Sequence, residues 1–293
     1  NLWKEVVKRS SRPAPAQDAK KEDSEETAQR IEKAALAALS VGDVRKALQQ
    51  LKNTPIAPKG DATYKKLQDL HPGGNNPAPI PRVGNKELYQ APHFKVDVVR
   101  SALSSFGPGS AAGLLGDKPY LLQQGMRSES AFEGAVTSAV YHLAAGKAPK
   151  FLKRILAGGV SIALQKNETA IRPLACGDPL RRLVGKCFCV VAREEISKNF
   201  EGSNFGVGCK GGVEVVAHSL RDVVSKSKDT KLALLKIDFK NAFNLIKREH
   251  FVPAVCKMFP RLTSWTEWCY GESSMLLDHS RVIESSCGVQ QGD

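Results

Sequence analysis

A short apolar run that ends on a single carboxylate constrains this chain more than any other stretch. Residues 232–237 are nearly continuous in apolar side chains, a pattern that predicts a strand buried on both faces. Asp238 follows directly, and apolar residues return at helical spacing from Phe243 onward. A buried strand that delivers an aspartate to its C-terminal end would present a metal ligand at a cleft. The alternative, that Asp238 only caps the helix after it, stays open at this point.

The charge balance favours a polyanionic partner. The sequence holds 43 lysines and arginines against 30 aspartates and glutamates, which gives a formal net charge of +13. Such a balance favours nucleic acid first and an anionic membrane surface second. A basic protein with scattered lysines and no such partner is the remaining alternative.

Cysteine usage indicates a reducing compartment, and hydropathy indicates that the chain does not enter a membrane. The seven cysteines form no Cys-x-x-C pair, and no histidine lies at zinc-ligand spacing from them, so we expect reduced thiols. The sequence contains no apolar run of about 18 residues, and its first residues do not resemble a signal peptide. We therefore expect an intracellular protein that does not enter a membrane, with nucleus and cytoplasm not distinguished.

Composition divides the chain into four predicted parts. Residues 1–22 are rich in proline, alanine, lysine and glutamate and are predicted to be a disordered lead. Residues 23–70 are predicted to be a small helical region, whose last helix lies near residues 64–70. Residues 71–92 form a linker rich in proline and glycine, and residues 93–293 form the main domain.

The main domain is predicted to mix helices with short strands. Helical periodicity is found at residues 97–106, 130–143, 179–196 and 213–224. Besides the run before Asp238, strand patterns are found at residues 160–164, 170–175, 275–277 and 282–285. The first two of these are separated by turn residues, which predicts a hairpin.

Five stretches of the main domain, in their order and spacing, resemble the reverse transcriptases of non-LTR retrotransposons. They are residues 160–165, 171–186, 205–221, 236–244 and 288–293. The resemblance implies an α+β right-hand polymerase, with fingers and part of a palm built from helices and a small antiparallel sheet. The implied function is RNA-directed DNA polymerisation, in which the complete domain transfers nucleotides from dNTPs by two-metal catalysis.

The resemblance assigns metal and sugar contacts to the stretch around Asp238. Asp238 matches the first catalytic aspartate, and Phe239 matches the residue whose backbone carbonyl also reaches the metal. The implied cofactor is Mg²⁺ or Mn²⁺, hard cations that take oxygen ligands. Phe243 matches a steric gate, a ring beneath the sugar that excludes a 2′-hydroxyl. An ordinary core phenylalanine is the alternative for Phe243.

The resemblance also assigns the nucleotide contacts. Lys166 and Arg172 match the fingers residues that hold the incoming triphosphate, a role that suits two cations on one hairpin. The alternative for Lys166 is an ordinary exposed lysine in a turn. Gln291 and Gly292 match a Gln-Gly pair that packs against the nucleotide and the template strand.

Three further basic residues are predicted to contact the nucleic-acid backbone, namely Arg181, Arg182 and Lys210. Solvated surface positions are the alternative for all three. The implied partners are an RNA template, a primer or DNA, and a dNTP, with no membrane and with the oligomeric state open. We expect binding to RNA or to an RNA–DNA duplex that has little sequence preference and weakens with salt.

One departure from the family pattern leaves open whether the chain is an enzyme. The second catalytic element of the family is a hairpin with two adjacent aspartates, and no such pair occurs in the sequence up to Asp293. We therefore expect a chain truncated before that hairpin, which does not polymerise by itself. A catalytically inactive relic that binds nucleic acid is the alternative to a polymerase.

Overall fold

The structure, a computed structural model, describes residues 24–40, 44, 47, 48, 56–107, 109–227 and 231–290. The predicted lead and several residues of the predicted helical region between residues 41 and 55 lie outside the described residues. Gln291 and Gly292 lie outside them as well.

The described residues fold into α-helices packed around a small sheet. The α-helices are α1 (Ser24–Ser40), α2 (Asp61–Asp69), α3 (Val96–Ser104), α4 (Pro119–Ser128), α5 (Ser130–Ala144), α6 (Lys150–Leu156), α7 (Pro179–Val191), α8 (Arg193–Phe200), α9 (Gly212–Lys226), α10 (Ala242–Leu245), α11 (Arg248–Met258) and α12 (Thr263–Tyr270). The strands are β1 (Gly159–Gln165), β2 (Ile171–Gly177), β3 (Ser274–Asp278) and β4 (Arg281–Ser285). Short 3₁₀ turns occur at Lys86–Tyr89 and Pro260–Leu262.

The sheet has the order β2-β1-β3-β4 and contains both parallel and antiparallel pairs. The predicted hairpin is confirmed, since β1 and β2 pair antiparallel from Gly159 opposite Gly177 to Gln165 opposite Ile171. β3 and β4 form a second antiparallel hairpin, but β1 pairs parallel with β3. The expectation of a small antiparallel sheet is therefore confirmed for the two hairpins and wrong for the pair of β1 with β3, so the sheet is mixed. The reason is the helical crossover between β2 and β3, which returns the chain to the sheet beside β1.

Two apolar clusters account for most of the core. The larger is formed by helices α3, α5, α7, α11 and α12, and includes Leu183 and Trp268. The smaller lies on the sheet and joins Leu67 of α2 to Ile171 and Leu276. Helix α2 therefore packs on the sheet of the main domain, although the sequence assigned it to the helical region before the linker. The predicted domain boundaries stay predictions.

The predicted strand at residues 232–237 is wrong. Residues 231–239 form neither helix nor strand, and their side chains are exposed, with Leu234 79% and Leu235 80% accessible. No strand in the described part of the chain pairs with this segment. A lone strand leaves its N–H and C=O groups without ladder partners, so apolar residues alone do not produce one.

Asp178 is a buried N-cap that begins α7 where the sequence predicts it. Its carboxylate accepts a hydrogen bond of 2.9 Å from the Leu180 N–H. Burial, and then the neighbouring Asp117 carboxylate, raise the pKa of Asp178 to about 7, against the opposing effect of the backbone donors and Arg182. Between about pH 4 and pH 7 the folded protein therefore holds a proton on this group that the unfolded chain releases.

Asp178→Asn is expected to stabilise the protein at about pH 8 and to have little effect at about pH 4. A carboxyl group whose pKa is raised on folding costs stability as pH rises from about 4 to about 7. Asparagine keeps the N-cap acceptor without the charge, so we expect a gain of about 1–4 kcal/mol at the higher pH. Urea denaturation at both pH values measures it, with exposed Asp97→Asn as the control. An equal change at both pH values would contradict the prediction.

Candidate functional site

A cavity of about 700 Å³ lies between α2, the turn that joins β1 to β2, and the segment that leads into α10. Its lining comes from three separate parts of the chain, within residues 66–70, 166–173 and 238–243. The lining is rich in charged and polar groups on the helix and turn sides. Two phenylalanines lie on the third side.

Five of the residues singled out from the sequence line this one cavity, namely Lys166, Arg172, Asp238, Phe239 and Phe243. All five side chains are exposed, so a ligand in the cavity can reach them. Phe243 is 55% accessible and is therefore not a core residue. Their roles in binding a metal or a nucleotide stay predictions.

The hairpin fixes the direction of Arg172. Ile171 and Pro173 are buried in β2, whereas Arg172 between them is exposed. Successive side chains of a strand point to opposite faces, so the Arg172 side chain points away from the face that packs on the core. Lys166 lies at the other end of the same turn, which is closed by a hydrogen bond of 2.9 Å from its N–H to the Ala170 carbonyl.

The segment that contains Asp238 and Phe243 is held by asparagine side chains. Asn241 has φ 54°, a left-handed conformation that asparagine adopts more readily than most residues, and it is the N-cap of α10. Its amide and that of Asn244 donate hydrogen bonds of 2.9 and 3.0 Å to the Leu70 carbonyl at the end of α2. Because Asn241 occupies the N-cap position, Asp238 is not the cap of the following helix.

The backbone near residue 288 supports the same segment from the other side. Val289 donates a hydrogen bond of 2.8 Å to the Phe243 carbonyl, and Gly288 donates one of 2.9 Å to the Ile246 carbonyl. The stretch that precedes Gln291 and Gly292 is therefore bonded to α10, which contains Phe243.

The prediction that Arg181 contacts a nucleic-acid backbone is wrong. Its side chain is 1% accessible, its guanidinium donates to the Ala157 carbonyl, and it lies 5.1 Å from the centroid of the Tyr270 ring. The physical reason is helix geometry, because position 181 shares a face with the core residues Val184 and Phe188. A fully buried group has no surface to offer a ligand.

The two other basic residues differ from Arg181. Arg182 is half-buried, donates to the Ala111 carbonyl, and lies 5.4 Å from the centroid of the Phe106 ring. Lys210 is exposed in the glycine-rich loop before α9. Contacts of Arg182 and Lys210 with nucleic acid stay predictions.

Helix α2 supplies two charged lining residues that the sequence did not reveal, Lys66 and Asp69. They belong to a region that composition separated from the main domain. Their place in the cavity follows from the docking of α2 on the sheet, a long-range contact. The local pattern of α2 contains no signal for it.

The next question is which residues of the cavity could bind a metal ion. Among the residues that the structure describes, no group of three or more histidine, cysteine, aspartate or glutamate side chains is placed to hold a metal ion. Asp69 and Asp238 supply the carboxylates of the cavity lining. Mg²⁺ is commonly held by one or two carboxylates while substrate phosphates and water complete its shell. Binding of Mg²⁺ with phosphate in this cavity stays a prediction.

Comparison of the chain with protein-family models and with curated proteins finds no match. No helix within the described ranges is both long enough and apolar enough to cross a membrane.

Proposed function

We propose that this chain comprises the fingers and part of the palm of an RNA-directed DNA polymerase, and that its cavity receives a dNTP with Mg²⁺. The main support is that Lys166, Arg172, Asp238 and Phe243 line one cavity, although they come from two distant stretches of sequence. The resemblance selected each of them without information on how the chain folds. Chance matches would not be expected to converge on one cavity.

The basic residues of the hairpin bind the triphosphate in this proposal. Arg172 has a planar guanidinium whose N–H donors pair in parallel with phosphate oxygens. Lys166 contributes a compact ammonium that acts as a point charge. Both are exposed at the cavity, so the phosphate oxygens can reach them without movement of the core.

The carboxylate and the ring on the opposite wall have separate tasks. Asp238 accepts the hard cation that accompanies the triphosphate, and Phe239 offers its backbone carbonyl. When bound, Mg²⁺ neutralises the charge that develops on the phosphoryl oxygens during transfer. In this proposal the exposed ring of Phe243 excludes a 2′-hydroxyl, so selection of deoxynucleotides depends on exclusion rather than on an added contact.

A second function, nucleic-acid binding without chemistry, is favoured by the net charge of +13. Phosphate neutralisation by basic residues gives such binding a steep dependence on salt. The two functions differ in what the cavity binds. A module that only holds nucleic acid has no use for a saturable dNTP–Mg²⁺ site, so nucleotide binding discriminates between them.

Arg172→Ala is expected to weaken dNTP binding in the presence of Mg²⁺ by about 10-fold to 100-fold, the loss typical of a charge-assisted hydrogen bond. Titration of a fluorescent dNTP at moderate ionic strength measures the dissociation constant. The control is Arg261→Ala, an exposed arginine outside the cavity lining. Absence of saturable dNTP binding by the wild-type chain, or equal affinities for wild type and Arg172→Ala, would reject the proposal.

A further inference from the structure

Helix α2 places a lysine in the cavity that the sequence resemblance does not cover. Lys66 lines the cavity together with Lys166 and Arg172. It lies well before the main domain, in which the resemblance is found. Its presence in the cavity therefore depends entirely on how the chain packs.

Contacts on the other sides of α2 fix the position of Lys66. Leu67, the next residue, is fully buried against the sheet. The Tyr64 hydroxyl donates a hydrogen bond of 2.9 Å to the Val282 carbonyl, and Asp61 forms an ion pair of 2.5 Å with Arg281. Helix α2 is thus anchored to β4 and to the sheet core, and its remaining face forms a wall of the cavity.

The ammonium group of Lys66 faces the turn that contains Lys166. Its Nζ donates a hydrogen bond of 2.7 Å to the Thr169 carbonyl. An ammonium has three N–H donors, so this bond leaves two for a ligand. The Lys66 side chain is exposed, and these donors are accessible from the cavity.

Cations outnumber carboxylates around the cavity. Among the residues that the structure describes, the cations of the lining are Lys66, Lys166, Arg172 and Lys240, and the carboxylates are Asp69 and Asp238. A phosphate group approaching this cavity therefore meets a positive potential from several directions. Lys66 adds the cation that α2 contributes to the lining.

We propose that Lys66 is a phosphate-binding residue of this cavity, acting beside Lys166 and Arg172. Where the phosphate belongs to a dNTP, the assignment rests on the proposed function. A backbone phosphate of nucleic acid offers the same oxygens and is the second source of the same chemistry. The end of α2 then belongs to the ligand site rather than to a separate helical region.

Lys66→Gln tests the assignment because glutamine removes the charge and keeps an amide donor for the Thr169 carbonyl. The matched control is Lys65→Gln, an exposed lysine on the same helix that does not line the cavity. The probes are inorganic tripolyphosphate, a dNTP with Mg²⁺, and a short RNA–DNA duplex. We expect Lys66→Gln to weaken tripolyphosphate and dNTP binding by about threefold to tenfold. Lys65→Gln should leave both affinities unchanged, and Lys66→Arg should retain them.

The outcomes separate this assignment from the proposed function. A loss confined to the duplex supports Lys66 and identifies the phosphate as that of the nucleic-acid backbone. If Lys66→Gln binds all three probes as tightly as wild type while Arg172→Ala binds the dNTP more weakly, the Lys66 assignment is overturned and the proposed function is not. A third outcome is that Lys66→Gln loses tripolyphosphate binding while the wild type binds a dNTP no more tightly than tripolyphosphate. This outcome overturns the proposed function but not the Lys66 assignment.

Two further results would overturn the Lys66 assignment. The first is that the wild-type chain binds none of the three probes, which would reject the proposed function as well. The second is a thermal unfolding midpoint of Lys66→Gln clearly below that of Lys65→Gln, because it would assign Lys66 to support of the hairpin turn.

Discussion

Gly288→Ala is expected to destabilise the protein by at least about 3 kcal/mol and to weaken nucleotide binding. Gly288 has φ 74°, and the left-handed region costs a residue with a Cβ about 1–2 kcal/mol. A Cβ at this position would also lie 2.5 Å from the Phe243 carbonyl oxygen and 2.5 Å from the Asn244 Cα. Both neighbours are backbone atoms, so no side chain can rotate away to make room.

The expected loss of nucleotide binding follows from what Gly288 is bonded to. Its N–H donates to the Ile246 carbonyl at 2.9 Å, and the next N–H, of Val289, donates to the Phe243 carbonyl at 2.8 Å. Relief of the clash requires residue 288 to move away from α10, which lengthens both bonds. The Phe243 ring then loses its fixed position at the cavity.

Gly84→Ala provides the matched control for Gly288→Ala. Gly84 has a similar φ of 79°, but a Cβ there would meet no atom within 4 Å. It therefore reports the conformational cost of alanine without the steric cost. Chemical denaturation of both variants and dNTP titration of Gly288→Ala make the comparison, and equal losses of stability would contradict the steric explanation.

The hairpin and the helix after it could be predicted because their signals are local. Residues 160–175 alternate around a turn, and Asp178 followed by Pro179 begins α7 as the sequence indicates. The hydrogen bonds that close the turn and cap the helix, from Lys166 to Ala170 and from Leu180 to Asp178, join residues at most four positions apart, so the local pattern specifies them.

The prediction of a strand before Asp238 failed because a strand requires a partner strand. Residues 232–237 have the composition of a buried strand, but composition does not determine which strand, if any, lies beside it. The same limit applies to Lys66, whose place in the cavity depends on packing between α2 and the sheet. Such long-range contacts are not encoded in the pattern of one segment.

The prediction that Arg181 contacts nucleic acid failed for a different reason. Its charge suggested a surface position, whereas helical spacing relative to Val184 and Phe188 places it on the core face. Periodicity was the stronger signal, because a long arginine can be buried when its donors find carbonyls and its plane packs on an aromatic ring. Tyr270 provides that ring for Arg181 and also for Arg248, at 5.1 and 5.2 Å.

Arg248 joins four parts of the chain from a buried position. Its side chain is 1% accessible. Nε donates to the Gly288 carbonyl at 3.1 Å, Nη1 to the Glu272 carbonyl at 3.1 Å, and Nη2 to the Ser285 hydroxyl at 3.0 Å. Burial lowers the pKa of Arg248 to about 10, so it remains charged at neutral pH. One guanidinium thus links the start of α11 to β4 and to the stretch that supports Phe243.

Arg248→Met is expected to lower the free energy of unfolding by about 2–4 kcal/mol, because it leaves two carbonyls and one hydroxyl without this donor. Because the variant no longer buries a charge, it avoids part of the desolvation cost, which limits the loss of stability. Urea denaturation near neutral pH measures it against Arg261→Met, the same change at an exposed arginine. Because the Gly288 carbonyl loses its donor, the residual folded protein should also bind dNTP less tightly than wild type. A loss of stability no larger than that of Arg261→Met would show that Arg248 fills space without linking these segments.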